Sequence, residues 1–209
     1  MKGLERARAQ GVGRLVPDAG DRPMGRWLAL ALNIALRASL VVFLADAILN
    51  ADAPQFEGKA IGSRGLVILP LSLLLPALYL TRRRGEPYPF WMDNLYLSIF
   101  ALDLAGNSFD LYNSYRHFDL LPHAHGTGAA TVLFAWLLRK PVLSAVGLAT
   151  VLHVGLEAQE YYSDLLFGLA NVRGTWDVVN DLVVGVVGSA VYGAGYFWLV
   201  RPRVAGGST

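Results

Sequence analysis

The sequence predicts an all-α fold: a polytopic membrane helical bundle of six transmembrane helices with both termini cytoplasmic. Three observations predict it. The chain of 209 residues is 54% hydrophobic and only 16% charged, with a mean hydropathy of +0.41, whereas a soluble domain carries about 25% charged residues. The apolar residues come in blocks long enough to cross a hydrocarbon core, which takes roughly 17–25 residues of helix. The lysines and arginines gather at alternate ends of those blocks, as the positive-inside rule requires. Lipid cannot satisfy a free peptide group, so each block must be helical, and the strict alternation of a membrane barrel is missing.

The blocks run approximately 27–49, 64–81, 90–110, 120–138, 141–163 and 177–200. Lys2, Arg6, Arg8, Arg14, Arg22 and Arg26 precede the first; Arg82, Arg83 and Arg84 follow the second, Arg139 and Lys140 the fourth, Arg201 and Arg203 the sixth. That places thirteen basic residues on one side against Lys59, Arg64, Arg116 and Arg173 on the other, with Arg37 inside the first block. The expected organisation is a mobile cytoplasmic tail at 1–25, one membrane domain at 26–203 and a mobile tail at 204–209. A basic start followed by Ala-Asp-Ala at 45–47 and 51–53 resembles a cleaved leader, but the apolar stretch is too long for one and contains Asn33 and Arg37. The bilayer of the cell membrane is the first partner implied, and the formal charge of +2 implies no nucleic acid. Without cysteine there is neither a disulfide nor a thiol nucleophile. Gly-x-Ser-x-Gly and His-Glu-x-x-His are also absent.

A charge near the middle of a membrane helix costs about 2.5–3.5 kcal/mol on insertion scales, so it must be paired, interfacial or turned into the bundle. The third block carries Asp103, Asn107 and Asp110 on one face by their spacing; the fifth carries His153, Glu157, Glu160 and Asp164; the sixth opens with Asp177, Asn180 and Asp181. At the helical rise per residue, Asp103, Glu157 and Asp181 lie roughly 10, 9 and 6 Å inside the outer ends of their helices. Tyr115-Arg116-His117-Phe118-Asp119 and His123-Ala124-His125 join them on the same side. Gly185, Ser189 and Gly193 continue the Asp177–Asp181 face, and small residues at that interval let helix backbones approach closely.

Singly, these residues have ordinary explanations. Asp177 suits a helix start, His153 suits an interhelical hydrogen bond, Arg37 suits an ion pair, and His123 and His125 diverge on a helix. Together they form an excess of acid that Arg116 and Arg173, counted as the only arginines close by, do not balance. A divalent cation (Mg²⁺, Mn²⁺ or Zn²⁺) or shared protons would relieve it. The candidate metal ligands are Asp119, His123, His125, Glu157 and Asp181. Glu157, Glu160, Asp177 and Asp181 are candidate catalytic carboxylates, and Arg116 and Arg173 candidate substrate-binding cations.

Three strings carry a family resemblance. Phe118-Asp119-Leu-Leu-Pro-His123 resembles the D-x-x-x-H element of the VanZ-like superfamily of small bacterial membrane proteins. Glu157-Ala-Gln-Glu160 is similar to the E-x-x-E of its YjdF branch, and Gly174-Thr-Trp-Asp177-Val-Val-Asn-Asp181-Leu-Val-Val-Gly185 to that branch's final motif. The resemblance spans about residues 90–195 and implies a helical membrane protein whose polar set is Asp119, His123, Glu157, Glu160, Asp177 and Asp181. VanZ-type chains commonly carry Gln and Asn where this one has Glu160 and Asp181. Pro122 and His125 also depart from the pattern.

Three functions compete. One is a metal-binding or enzymatic site opening to the extracytoplasmic side, with a lipid or lipid-linked envelope precursor as substrate. Another is a proton- or cation-coupled transporter, which needs polar groups to continue inward where only His153, Arg37 and Asp93 stand. The third is a buried polar network that specifies helix packing.

Overall fold

A computed structural model of the chain describes residues 23–82 and 86–200. Among these residues the regular structure is entirely helical. Pro23 opens α1 (Pro23–Leu49), a position where a missing N–H costs nothing, so the helix takes in residues 23–25 expected in the tail. The rest of that tail, the basic residues at 83, 84, 201 and 203, and residues 204–209 lie outside the described residues.

The second block is two helices, α2 (Ile61–Ser72) and α3 (Leu74–Arg82), broken at Leu73. Pro76 has no N–H, so the Ser72 carbonyl four residues earlier loses its helical donor. Arg37 of α1 supplies one, donating Nη1 to that carbonyl at 2.8 Å. Tyr96 donates to the adjoining Leu71 carbonyl at 2.9 Å.

α4 (Phe90–Ser108) stops earlier than the sequence led us to expect. Asp110 takes a left-handed conformation (φ 56°) and starts the short α5 (Leu111–Ser114), where it accepts from Asn113. The expectation that Asp110 continues the Asp103–Asn107 face is thereby corrected. α6 (Leu120–Leu137) and α7 (Val142–Phe167) follow, the latter closed by Gly168 at φ 67°, the left-handed position that glycine takes without strain. α8 (Thr175–Val200) ends the described chain.

α6 is the centre of the bundle, packed against α8, α7 and α4, while α1 packs on α4 and α2. The α1–α2–α4 half is held by an apolar core that includes Leu40, Leu44, Phe56, Ile68, Leu97 and Leu104. Between α6 and α8 small residues replace it. A Cβ on Gly188 would collide with the backbone of Ala124, and one on Gly128 would fall 2.6 Å from the Tyr192 ring. Ser189, fully buried, receives a 3.0 Å hydrogen bond from Thr131.

Four helical stretches are long and apolar enough to cross a membrane: Met24–Leu49, Ser63–Arg82, Val142–Phe167 and Thr175–Leu199. Their outward residues, such as Val41, Val42, Val151, Val183 and Val187, form exposed apolar faces suited to lipid. α4 and α6 are inner helices that bury polar side chains, among them Asp93, Asn94, Asn107, Thr127 and Thr131. The loops at 50–60, 109–119 and 168–174 meet at one end: Ala170 N–H donates to the Gly58 carbonyl at 2.9 Å, and Arg173 donates to the Tyr112 carbonyl at 2.8 Å.

Candidate metal centre

The spacing of four in α7 stacks His153 above Glu157 on one face, and that face turns towards the first turns of α6. There His123 meets both. His123 Nδ1 lies 3.0 Å from His153 Nε2 and 3.2 Å from Glu157 Oε1, and His153 Nε2 lies 3.1 Å from Glu157 Oε1. The three atoms form a nearly equilateral triangle. His153 and Glu157 are buried, at 5% and 4% exposure.

The outer nitrogens of the two rings decide what the triangle holds. The Thr127 hydroxyl donates to the His123 carbonyl at 2.8 Å, which leaves its oxygen to accept from His153 Nδ1–H at 3.1 Å. A neutral His153 then presents a bare lone pair at Nε2. His123 Nε2 faces only carboxylates, Asp119 Oδ1 at 3.4 Å and Asp181 Oδ2 at 3.9 Å. Carboxylates accept, and Glu157 Oε1 faces Nδ1 at 3.2 Å in the same way, so both ring nitrogens of His123 look onto acceptors, and it is the Nε2-protonated tautomer that turns a lone pair at Nδ1 into the triangle. In that tautomer three lone-pair atoms converge, His123 Nδ1, His153 Nε2 and Glu157 Oε1. Such an arrangement calls for a positive charge.

The surroundings hold these rings in place. Gly185 of α8 lies where a Cβ would overlap the His153 ring, so its absence of a side chain is what admits the imidazole. Asp119 occupies the N-cap position of α6 but makes no capping bond; its side chain reaches forward to His123 instead. Asp181 is 4% exposed, and its Oδ1 is buried without a hydrogen-bond partner. His123 and Asp119 each retain 18% side-chain exposure, so the cluster is open on their side. Two overlapping groups therefore have metal-ligand geometry, His123–His153–Glu157 and Asp119–His123–Asp181.

Of the candidates read from the sequence, Asp119, His123, Glu157 and Asp181 come together. His125 does not: its ring is held 2.9 Å from Ser98 Oγ and 2.7 Å from the Tyr192 hydroxyl, bridging α4, α6 and α8 on another face. Glu160 points instead towards Arg64, at 3.8 Å. Asp177 accepts from the backbone N–H of Arg173 at 2.9 Å and shapes the start of α8. Arg173 is tied to the Tyr112 carbonyl, and Arg116 is exposed on the loop. Asp103 of α4 faces Tyr112 and Arg64 rather than the imidazoles, so the third helix of the sequence reading stands beside the centre, not in it.

Two participants go beyond the sequence reading. His153, which the sequence suits to an interhelical hydrogen bond, sits with its Nε2 3.1 Å from Glu157 Oε1, and the spacing of four between them is the signal that could have found it. Arg64, which the sequence does not place near the acids, lies at 3.8–4.0 Å from Glu160 and Asp103 and is hydrogen-bonded to Asn171. Comparison with family models, curated proteins and solved structures finds no match to this chain.

Proposed function

We propose that His123, His153 and Glu157 hold a divalent cation of the zinc type in a membrane enzyme. The observation that carries this reading is the triangle of lone-pair atoms 3.0–3.2 Å apart. A shared proton lies on a line between two atoms, whereas a cation serves three at once. Three tetrahedral ligands at zinc distances would stand about 3.3 Å apart, close to what is seen. Two nitrogens and one carboxylate favour zinc over magnesium or manganese, and zinc sites of this composition leave a fourth position for water or substrate. Thr127 behind His153 and Asp119 with Asp181 behind His123 supply the outer hydrogen bonds that orient such ligands. When bound, the cation would polarise a substrate oxygen or lower the pKa of a water. Asp181, with its free Oδ1, is the carboxylate available to take a proton.

On this reading the centre lies in the outer half of a six-span bundle of the plasma membrane with cytoplasmic termini. Support comes from the meeting of loops 50–60, 109–119 and 168–174 at the end poor in basic residues, and from α4 and α6 being long enough to span. Asp52→Cys and Ser114→Cys should both label from outside intact cells; protection of both reverses the orientation. A centre at that depth suits a lipid or lipid-linked envelope precursor. The kinship to the VanZ-like superfamily and its YjdF branch belongs to the same proposal, supported by the meeting of Asp119, His123, Glu157 and Asp181.

The deciding experiment is metal analysis of detergent-purified protein, wild type beside Glu157→Gln. Stoichiometric zinc in the wild type and its loss in the variant are expected. Wild type that holds no metal even after zinc reconstitution would overturn the reading. A packed polar network would then stand in its place, the role His125 already plays between Ser98 and Tyr192.

A further inference from the structure

Outward of the metal centre, the loops assemble a second group of charges around Tyr112. The ammonium of Lys59 lies over the Tyr112 ring, 5.1 Å from its centroid. Its nitrogen is shut off from solvent and has no hydrogen-bond acceptor among the described residues. Arg173 donates to the carbonyl of the same tyrosine at 2.8 Å, and the Tyr112 hydroxyl donates to Asp103 at 2.8 Å. Arg64 stands between Asp103 and Glu160, and Glu160 is three residues beyond Glu157 on α7, about 4.5 Å further out along the helix.

An ammonium carries three donors, and burying one with none of them satisfied is costly. Burial lowers the pKa of Lys59, with Asp110 and Asp103 opposing that shift and Arg173 and Arg64 adding to it. The acids close to it are engaged elsewhere: Asp103 by Tyr112 and Asn107, Asp110 by Asn113. What the Lys59 ammonium lacks is an acceptor within hydrogen-bond reach.

We propose that Lys59, flanked by Arg64 and Arg173, is a subsite for a phosphate group of the substrate, one helical turn outward of the metal centre. This deepens the reading of the metal centre and rests on it for the claim that both act on one molecule. The phosphate oxygens would give the Lys59 ammonium its missing acceptors in charge-assisted hydrogen bonds, and the guanidinium groups of the same loop cluster suit such oxygens. Phosphate from a lipid headgroup and phosphate from a soluble ester share this chemistry.

The test uses full-length protein in detergent after chelator treatment, so that zinc plays no part in it. Binding of inorganic phosphate and of dodecyl phosphate is measured by calorimetry, with the uncharged detergent as background. Wild type should bind at least one of the two. Lys59→Met, which keeps the apolar stem, should weaken that binding about tenfold or more while leaving the melting temperature unchanged or raised. Binding of both probes points to a free phosphate source, and binding of dodecyl phosphate alone to a lipid headgroup. Absence of binding, or equal binding by Lys59→Met, overturns the subsite. Zinc content measured on the unchelated preparations reports separately on the metal centre.

Discussion

Asp93 and Glu157 are both buried carboxylates within the bundle, yet one faces a permanent cation and the other faces two imidazoles, whose charge is exchangeable. Asp93, at 0% exposure, accepts on Oδ2 from Arg37 Nη2 at 2.6 Å, Tyr88 at 2.7 Å and Asn33 at 2.8 Å. Each nitrogen of the Arg37 guanidinium is hydrogen-bonded, with Nε on Asn33 and Nη1 on the Ser72 carbonyl, and Asn94 closes the network onto Asn33 and the Ala29 carbonyl. Burial, with the hydrogen bond to Asp93, pushes the Tyr88 hydroxyl well above its usual pKa, so it stays a donor. Among the described residues Glu157 is met by imidazoles, whose proton comes and goes, and by no arginine or lysine. Asp93 and Asp181 each keep one oxygen without a partner, so the difference is not in completeness but in charge. A fixed positive charge makes a brace. Its absence makes a place for an exchangeable one.

The comparison breaks first at Arg37. Arg37→Met would leave Asp93 in the interior with its hydrogen bonds from Tyr88 and Asn33 but without a counter-charge, and would free the Ser72 carbonyl at the helix break. Removing one partner of a buried pair costs about 3–5 kcal/mol, and the 27% exposure of the Arg37 side chain argues for the lower end. A melting temperature in detergent that barely moves would show that the pair is no brace.

Glu157→Gln should behave in the opposite way. The amide keeps the shape and removes a charge that the unliganded cluster holds at a cost, so chelated protein should melt close to wild type. Zinc should separate the two: a ligand at a hundred times its dissociation constant stabilises by about 2.7 kcal/mol, and the variant should gain none of it. Equal zinc-induced shifts would remove Glu157 from the ligand set.

Much of this contrast was legible in the sequence, and the missing parts have physical reasons. Helical class follows from block length, and the pairing of Asp119 with His123 and of His153 with Glu157 follows from a spacing of four. Arg37 as an ion-pair member followed from its depth. What spacing does not encode is which faces meet. The central place of α6 depends on Gly128, Gly185 and Gly188 admitting Tyr192, His153 and the Ala124 backbone, and nothing in the pattern of one helix names its neighbour. The turn at Asp110 is a local left-handed residue that ends α4 early. Arg64 reaches Glu160 only because loops distant in sequence meet at one end.

Gly185→Ala tests that dependence on close approach. Its Cβ would overlap the His153 ring, and the remedy is either to part α7 from α8 or to rotate the imidazole. Overpacking of this kind costs about 1–3 kcal/mol, and either remedy should lower zinc affinity more than the melting temperature of the chelated protein. Unchanged affinity would mean that the ring position is not what the centre requires.

The smallest effect expected is at Thr127, and it bears most directly on the lone-pair argument. The Thr127 oxygen is the acceptor that keeps the proton of His153 on Nδ1 and leaves Nε2 bare. Thr127→Val preserves the branched shape and removes the acceptor, so the ring loses its reason to favour that tautomer. Loss of such an outer partner lowers metal affinity about 10–100-fold, while the chelated protein should lose only about 1 kcal/mol for the missing hydrogen bond. Thr127→Ser restores an acceptor at the same place and should recover zinc affinity even if it packs less well. A Val variant that binds zinc as tightly as wild type would mean that the tautomer is set elsewhere, and the triangle could then be bridged by a proton on His153, with no metal needed to hold its three atoms together.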